Sequence, residues 1–255
     1  MIAVYCFIVL FACTVGAACG LGGGIMIKPL FDIIGLHDAS TISLYSAFAV
    51  FTMSITSIYK QIKAKAEVDK KVILFIAIGS ALGGVVGDTF ISNLDNGLLK
   101  TIQSFGLVTS LIVIIYFTYK MDNIKTLTLK NPLLVLCVGL FLGLVSVLLG
   151  IGGGPLNILL YTYLFSLEMK DAAIYSIYTI FFSQLAKLIQ TFVVNQFIPY
   201  DLTYVPFLCV FAILGGIAGT QLNIKATDQM IERLYKATLF LILILSSYNL
   251  VISFI

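Results

Sequence analysis

Charge is what this chain has least of. Only 11% of its 255 residues are charged, 60% are hydrophobic, and the mean hydropathy is +1.08. A water-soluble domain of this length needs a far more charged surface, so that class is excluded. Histidine occurs once, as His37 beside Asp38. One histidine excludes bis-histidine haem ligation within a chain and argues against a histidine-based metal site. No cofactor and no metal are expected. No Ser-His-Asp, Cys-His or paired-carboxylate set is visible, so no enzyme is expected either. The cysteines Cys6, Cys13, Cys19, Cys137 and Cys209 all lie in apolar segments and offer no disulfide framework, so they read as small buried hydrophobes. The net charge of +3 comes without a basic patch interleaved with aromatics, so no nucleic-acid partner is expected. Met1–Cys19 lacks the basic start of a signal peptide and is expected to stay in the mature chain.

What the chain does have is long apolar runs: Val72–Ile91, Thr101–Tyr119, Leu133–Leu149, Tyr204–Leu222 and Leu234–Ile255. Each approaches the roughly 20 apolar residues that a helix needs to cross a bilayer. None alternates as a barrel strand does, and only helices otherwise satisfy their backbone groups in lipid. The chain is therefore expected to be an all-α polytopic membrane protein with the bilayer as its solvent.

Three motifs recur in order. Gly20-Leu-Gly-Gly-Gly24 returns as Gly150-Ile-Gly-Gly-Gly154, at an offset of 130. The stretch Asp38–Phe48 returns as Asp171–Phe181, and Leu82–Gly87 as Leu214–Gly219, at offsets of 133 and 132. Such a period marks a duplication. Residues 1–122 form the first transmembrane repeat, 131–255 the second, and 123–130 a linker. Positive-inside counting separates two topologies. If the copies are inverted, the loops 60–71, 120–130 and 225–236 share one side with eleven Lys or Arg, and Lys170 joins them. If they are parallel, 225–236 falls on the opposite side from the other two. Inverted repeats are therefore expected, with the three basic loops in the cytoplasm and the chain in the cell (cytoplasmic) membrane. Inversion needs an odd number of crossings per copy. The segments Ile25–Gly35 and Pro155–Phe165 have about 11 residues each, roughly 16 Å as helix and too short to span. Each copy is thus expected to open with a re-entrant, glycine-broken helical hairpin and continue with three transmembrane helices. Irregular backbone at membrane depth is tolerated where it is buried in protein or lines a cavity, as at transporter binding sites.

The glycine breaks are the leading site candidates. Three glycines weaken a helix by roughly 1 kcal/mol each, but they let backbone N–H groups approach a ligand closely. The restarting helix adds free N–H groups and the positive end of its dipole, an anion site without charged side chains. Gly22, Gly23, Gly24, Gly152, Gly153 and Gly154 are therefore expected to bind substrate. Ser176, Thr179, Ser183, Lys187 and Gln190 share a helix face, matched by Ser43, Ser46, Ser54 and Ser57 in the first copy. From these faces Ser43, Ser46, Ser176, Thr179, Lys187 and Gln184 join the expected site. Lys187, deep in an apolar helix, is a functional candidate by default, although snorkelling toward Asn195 would also satisfy it. Lys28 lies one turn past the first break and is matched by Ile158, so its contribution would be asymmetric. Gly79, Gly83, Gly87, Gly139, Gly143, Gly215 and Gly219 have the small-xxx-small spacing of helix contacts, and Asp88 is expected at the interface.

The motif Gly20-Leu-Gly-Gly-Gly-Ile-Met-Ile-Lys-Pro-Leu30, with its second copy Gly150-Ile-Gly-Gly-Gly-Pro-Leu-Asn157, resembles the signature of the TauE/SafE sulfite-exporter family. The likeness covers the whole chain, and Lys28 stands where the family more often has an apolar residue. The resemblance implies a permease for sulfite, thiosulfate, sulfonates or related sulfur anions. The expected function is a secondary transporter for such an anion working by alternating access. An anion channel, a carboxylate transporter and a membrane-embedded accessory subunit are the alternatives. The coupling ion (H⁺ or Na⁺) and the oligomeric state cannot be read from the residues.

Overall fold

The computed structural model describes residues 1–91, 94–120, 125–150, 152–193 and 201–252. Among them the chain forms ten helices and no strand: α1 (Ile2–Cys19), α2 (Gly24–Ile34), α3 (Ala39–Lys63), α4 (Lys70–Ile91), α5 (Asn96–Lys120), α6 (Pro132–Leu148), α7 (Gly154–Phe165), α8 (Met169–Val193), α9 (Val205–Lys225) and α10 (Asp228–Ile252). The order of lengths in α1–α5 returns in α6–α10. Seven helices are long and apolar enough to cross a membrane; α6 has 17 residues, and α2 and α7 have 11 and 12.

Local sequence sets the ends of these helices. α1 stops at Gly20, which takes the left-handed conformation with φ 69°. α2 stops in the same way at Gly35, whose N–H donates to the Phe31 carbonyl at 3.1 Å. Asn131 caps α6 by accepting from the Leu133 N–H at 3.0 Å, and Pro132 follows at the position where no N–H is needed.

α2 doubles back along α1. Gly23 lies against Cys13, and the rings of Tyr5 and Phe31 have centroids 4.0 Å apart. Tyr5 is also hydrogen-bonded to His37, past the end of α2, at 3.1 Å. α7 doubles back along α6 in the same way: Gly153 lies against Ser146, and the strip before α6 meets the end of α7 through Leu127 N–H to Tyr163 O (2.8 Å) and Leu129 N–H to Leu164 O (2.9 Å). By length α1 could cross on its own, but its contacts pair it with a returning arm.

The two halves pack by exchange. α1 lies on α9 and α6 on α4; α3 lies on α9 and α8 on α4; α2 lies on α10 and α7 on α5. Glycines lie at several of these contacts. A Cβ on Gly139 would lie 2.7 Å from the Ile76 carbonyl oxygen, and one on Gly215 2.8 Å from that of Leu10. Gly79, Gly83 and Gly87 face the carbonyls of Leu136, Leu140 and Leu144, while Gly143 and Gly219 face those of Ser80 and Thr14. These are the backbone approaches expected of small residues in membrane helices.

The corresponding helices α3 and α8 run antiparallel. Ser43 meets Lys187, and Phe51 meets Phe181 with ring centroids 5.3 Å apart, so rising numbers on one helix pair with falling numbers on the other. One end of the molecule gathers the basic loops: Ser166 bonds Thr126, the Asp69 N–H donates to Tyr175, and Lys170 donates to the carbonyls of Ile224 and Ala226. The opposite end joins His37 to Asp201 at 4.0 Å and stacks Tyr5 on Tyr204 at 5.5 Å.

Asp88, expected at the interface, lies three residues before the end of α4 and is buried there, with α8 closing over α4 where Gly84 touches Ser183 and Ala186. One expectation needs correction. Cys6, Cys13 and Cys19 are buried, but Cys137 is exposed and Cys209 half-buried, since apolar faces of α6 and α9 look outward. In a membrane chain, apolar sequence does not separate core from lipid contact.

Candidate functional site

The glycine breaks meet at the centre. Gly22 and Gly152 both take positive φ, 68° and 82°, and both lie against the same two side chains, Val50 of α3 and Ile180 of α8. The start of α7 abuts the first break directly: a Cβ on Gly154 would fall on the backbone of Leu21. Leu21 and Gly154, 133 positions apart in sequence, are thereby in contact, and Gly22 and Gly152, 130 apart, share their neighbours.

Each break is held in the same way. The Gly22 N–H donates to the Gly16 carbonyl at 3.3 Å, and the Gly152 N–H to the Ser146 carbonyl at 3.4 Å. These two N–H groups, expected to face substrate, thus turn back into their own hairpins through long, weak bonds. Carbonyls around the breaks are held by polar side chains from the surrounding helices. Ser176 donates to Gly20 O at 2.5 Å, Asn223 to Ala18 O at 2.8 Å, Tyr235 to Pro155 O at 2.9 Å and Asn249 to Pro29 O at 2.8 Å. Those four carbonyls are taken up, the Leu21 carbonyl lies against the start of α7, and the restarting helices add donors at the centre. The ladder provides no intrahelical acceptor for the first-turn N–H groups of Gly24 and Ile25 in α2, or of Gly154 and Leu156 in α7. Two positive helix ends meet there.

All twelve residues expected to bind substrate are buried. Lys187, 4% exposed, crosses to α3 and donates to Ser43 Oγ at 2.6 Å and to Ser43 O at 3.3 Å. It does not snorkel; Asn195, the expected anchor, lies outside the described residues. Ser46 is buried one turn from Ser43. Ser176 and Thr179 are already engaged. Ser176 accepts from Asn157 at 3.2 Å besides its bond to Gly20, and Thr179 bonds Tyr161 and its own helix at Tyr175 O. Gln184 donates to Ser146 at 3.4 Å, and Ser146 also meets Ser183 at 3.3 Å, which brings this group beside Gly153. Gln190 leaves the group and reaches Thr89 at 3.3 Å on an exposed face.

Other polar residues belong to the centre but were not expected there. Asn157, Tyr161, Ser146 and Gln103 are buried in apolar helices, and that setting was their only sequence signal. Lys28 donates to Gln103, and a Cβ on Gly150 would lie 3.1 Å from Lys28 Nζ, so the lysine of the first repeat sits on the break of the second. Along α3 the polar face continues through Ser54 and Ser57 to Gln61. Gln61 is 1% exposed, has neither amide atom bonded within the protein, and lines a cavity of about 510 Å³ with Lys70, Tyr178 and Phe182. That cavity lies toward the basic end. No group of three or more His, Cys, Asp or Glu suited to a metal occurs among the described residues.

Comparison with known proteins agrees with this architecture. Residues 5–248 match the family described as sulfite exporter TauE/SafE. A probable membrane transporter protein of Methanocaldococcus jannaschii is 30% identical over 145 residues, 54% of this chain and 53% of its own length. The chain thus spans about half the length of that relative. No solved structure matches.

Proposed function

The chain belongs to the sulfite exporter TauE/SafE family, whose activity is membrane transport rather than catalysis, and from that premise we propose a secondary transporter for a small sulfur-containing anion such as sulfite, thiosulfate or an organosulfonate. The observation that carries this proposal is the meeting of Gly22 and Gly152 on Val50 and Ile180, with Gly154 against Leu21. Two helix N-termini converging on one buried spot make an anion site. The Lys187 ammonium, now on Ser43, supplies a charge-assisted bond. Gly23, Gly24, Gly153 and Gly154 provide backbone donors, and Ser43, Ser46, Ser176, Thr179 and Gln184 provide side-chain donors once their present bonds exchange. Gly22 and Gly152 permit the close approach.

The two halves act as inverted repeats. Antiparallel α3 and α8 and the exchanged contacts support that reading, as does the gathering of basic loops at one end, which we assign to the cytoplasm. In such a fold the site stays near the midplane while one bundle rocks against the other, opening it to each side in turn. The polar face Ser54–Ser57–Gln61 and its cavity form the route from the site to the basic end. Burial of every site residue favours a carrier in an occluded state over an open channel.

The test is counterflow in liposomes. Labelled sulfite or thiosulfate taken up against unlabelled internal anion is expected to show trans-stimulation. Current without exchange would identify a channel, and exchange of carboxylates alone would identify a different substrate. If no anion moves and none raises the melting temperature, the transport assignment fails.

A further inference from the structure

We propose that Lys28, Gln103 and Ser246 form a subsite for one oxygen of the transported anion, and that this subsite makes the protein select dianions over monoanions. The inference rests on the transport assignment above and names the substrate's charge class. Lys28 and Gln103 are 4% and 1% exposed, and they meet where α2 of the first repeat crosses to α5. Gln103 uses its oxygen to accept from Lys28, and its Nε2 donor is left without a partner in the protein. Ser246 of α10, 1% exposed, has an unpartnered hydroxyl. All three line one cavity of about 10 Å³, with Pro29, Asp32, Ser104, Leu107, Leu149 and Asn249 around it. That volume suits a single water or a single ligand oxygen. Leaving buried donors unmatched costs about 1–3 kcal/mol each, so the cavity calls for an acceptor.

The cavity adjoins the second break. A Cβ on Gly150 would lie 2.9 Å from Gln103 Nε2 and 3.1 Å from Lys28 Nζ. An anion held at the breaks can therefore place one oxygen here. The two helix ends amount to roughly one positive charge together, enough for a monoanion. Lys187 and Lys28 add positive charge, and Asp32 at the same cavity and buried Asp88 offset part of it. Lys28 has no equivalent in the other half, where Ile158 takes its place, so this oxygen is bound at one break only.

The experiment uses the purified full-length chain and thermal shift with sulfate and with methanesulfonate, which replaces one sulfate oxygen by methyl and carries one charge fewer. Chloride at matched ionic strength is the blank. The wild type is expected to half-saturate at lower sulfate than methanesulfonate. Lys28→Met should weaken sulfate at least tenfold and change methanesulfonate by less than threefold. Gln103→Leu should lower sulfate selectivity without altering charge. Equal weakening of both anions by Lys28→Met, or none, overturns the proposal and leaves the cavity to a structural water. If Lys28→Met does not fold, Ser246→Ala and Gln103→Leu decide by the same ratio. A wild type that no oxyanion stabilises, and that moves none in the counterflow assay, removes the transport assignment itself, a result distinct from lost selectivity.

Discussion

Replacing Gly154 by alanine tests the contact on which the central site depends. In an isolated helix the change would stabilise by about 1 kcal/mol. Here the added methyl falls on the carbonyl group and Cα of Leu21. Overpacking a core usually costs about 1–3 kcal/mol, and the obstacle here is backbone rather than a side-chain tip. That backbone cannot easily yield, because Ser176 holds Gly20 O and Asn223 holds Ala18 O. The upper cost less the propensity gain gives a net loss of about 2 kcal/mol. For a chain of this size that is a fall of about 4–8 °C in melting temperature. Two further variants isolate the cause. At Gly152 the nearest atoms to a Cβ are 3.7 Å away, but φ is 82°, so Gly152→Ala bears the left-handed cost of about 1–2 kcal/mol without a clash. At Gly97 only Asp95 Oδ2 lies near, at 3.5 Å, so Gly97→Ala should be neutral or slightly stabilising. The assay is unfolding of the full chain in detergent, followed by a thiol-reactive dye as buried Cys13 and Cys19 become exposed. The expected order of melting temperature is Gly97→Ala at or above wild type, then Gly152→Ala, then Gly154→Ala. A Gly154→Ala protein that melts with the wild type would mean that the two breaks do not abut.

Lys187→Met should lower oxyanion affinity about tenfold or more, the loss of one charge-assisted hydrogen bond of about 1.5–3 kcal/mol; Lys187→Arg should keep most of it, and equal losses in titration of both would assign the effect to shape instead of charge. Gln61→Leu removes an amide with no partner in the protein, so melting should hold or rise while counterflow slows; a fall in melting with unchanged flux would take Gln61 off the route. Tyr5 ties the returning arm of the first hairpin to the Tyr204 end, so Tyr5→Ala should cost about 3–5 kcal/mol by analogy with large aromatic truncations, and Tyr5→Phe only the hydroxyl bond to His37, about 1 kcal/mol. Denaturant unfolding checks both, and similar losses would show that the bond, not the ring, holds the hairpin.

Much of the architecture was legible in one dimension. Apolar run lengths separate helices that can cross from α2 and α7, which cannot, because bilayer thickness is a physical ruler. The glycine triplets mark both breaks, since only glycine takes the positive φ found at positions 22, 152 and 153 without strain. The charged side chains Lys28 and Lys187 stand out because ionisable groups in apolar helices need a reason to be there. Partners were not legible. Ser43 is matched to Ser176 by the repeat, yet one accepts from Lys187 while the other donates to Gly20. Asn157, Ser146 and Gln103 carried no pattern that set them apart from helix-bonding polar residues. Nor could residue type say that Asp88 is covered or Cys137 exposed, because lipid and protein interior are equally apolar. Segment lengths and the places where helices break follow from local chemistry, which the sequence states by itself. Which break meets which, and which lysine reaches which hairpin, depends on packing between residues more than a hundred positions apart, and only the tertiary structure decides that.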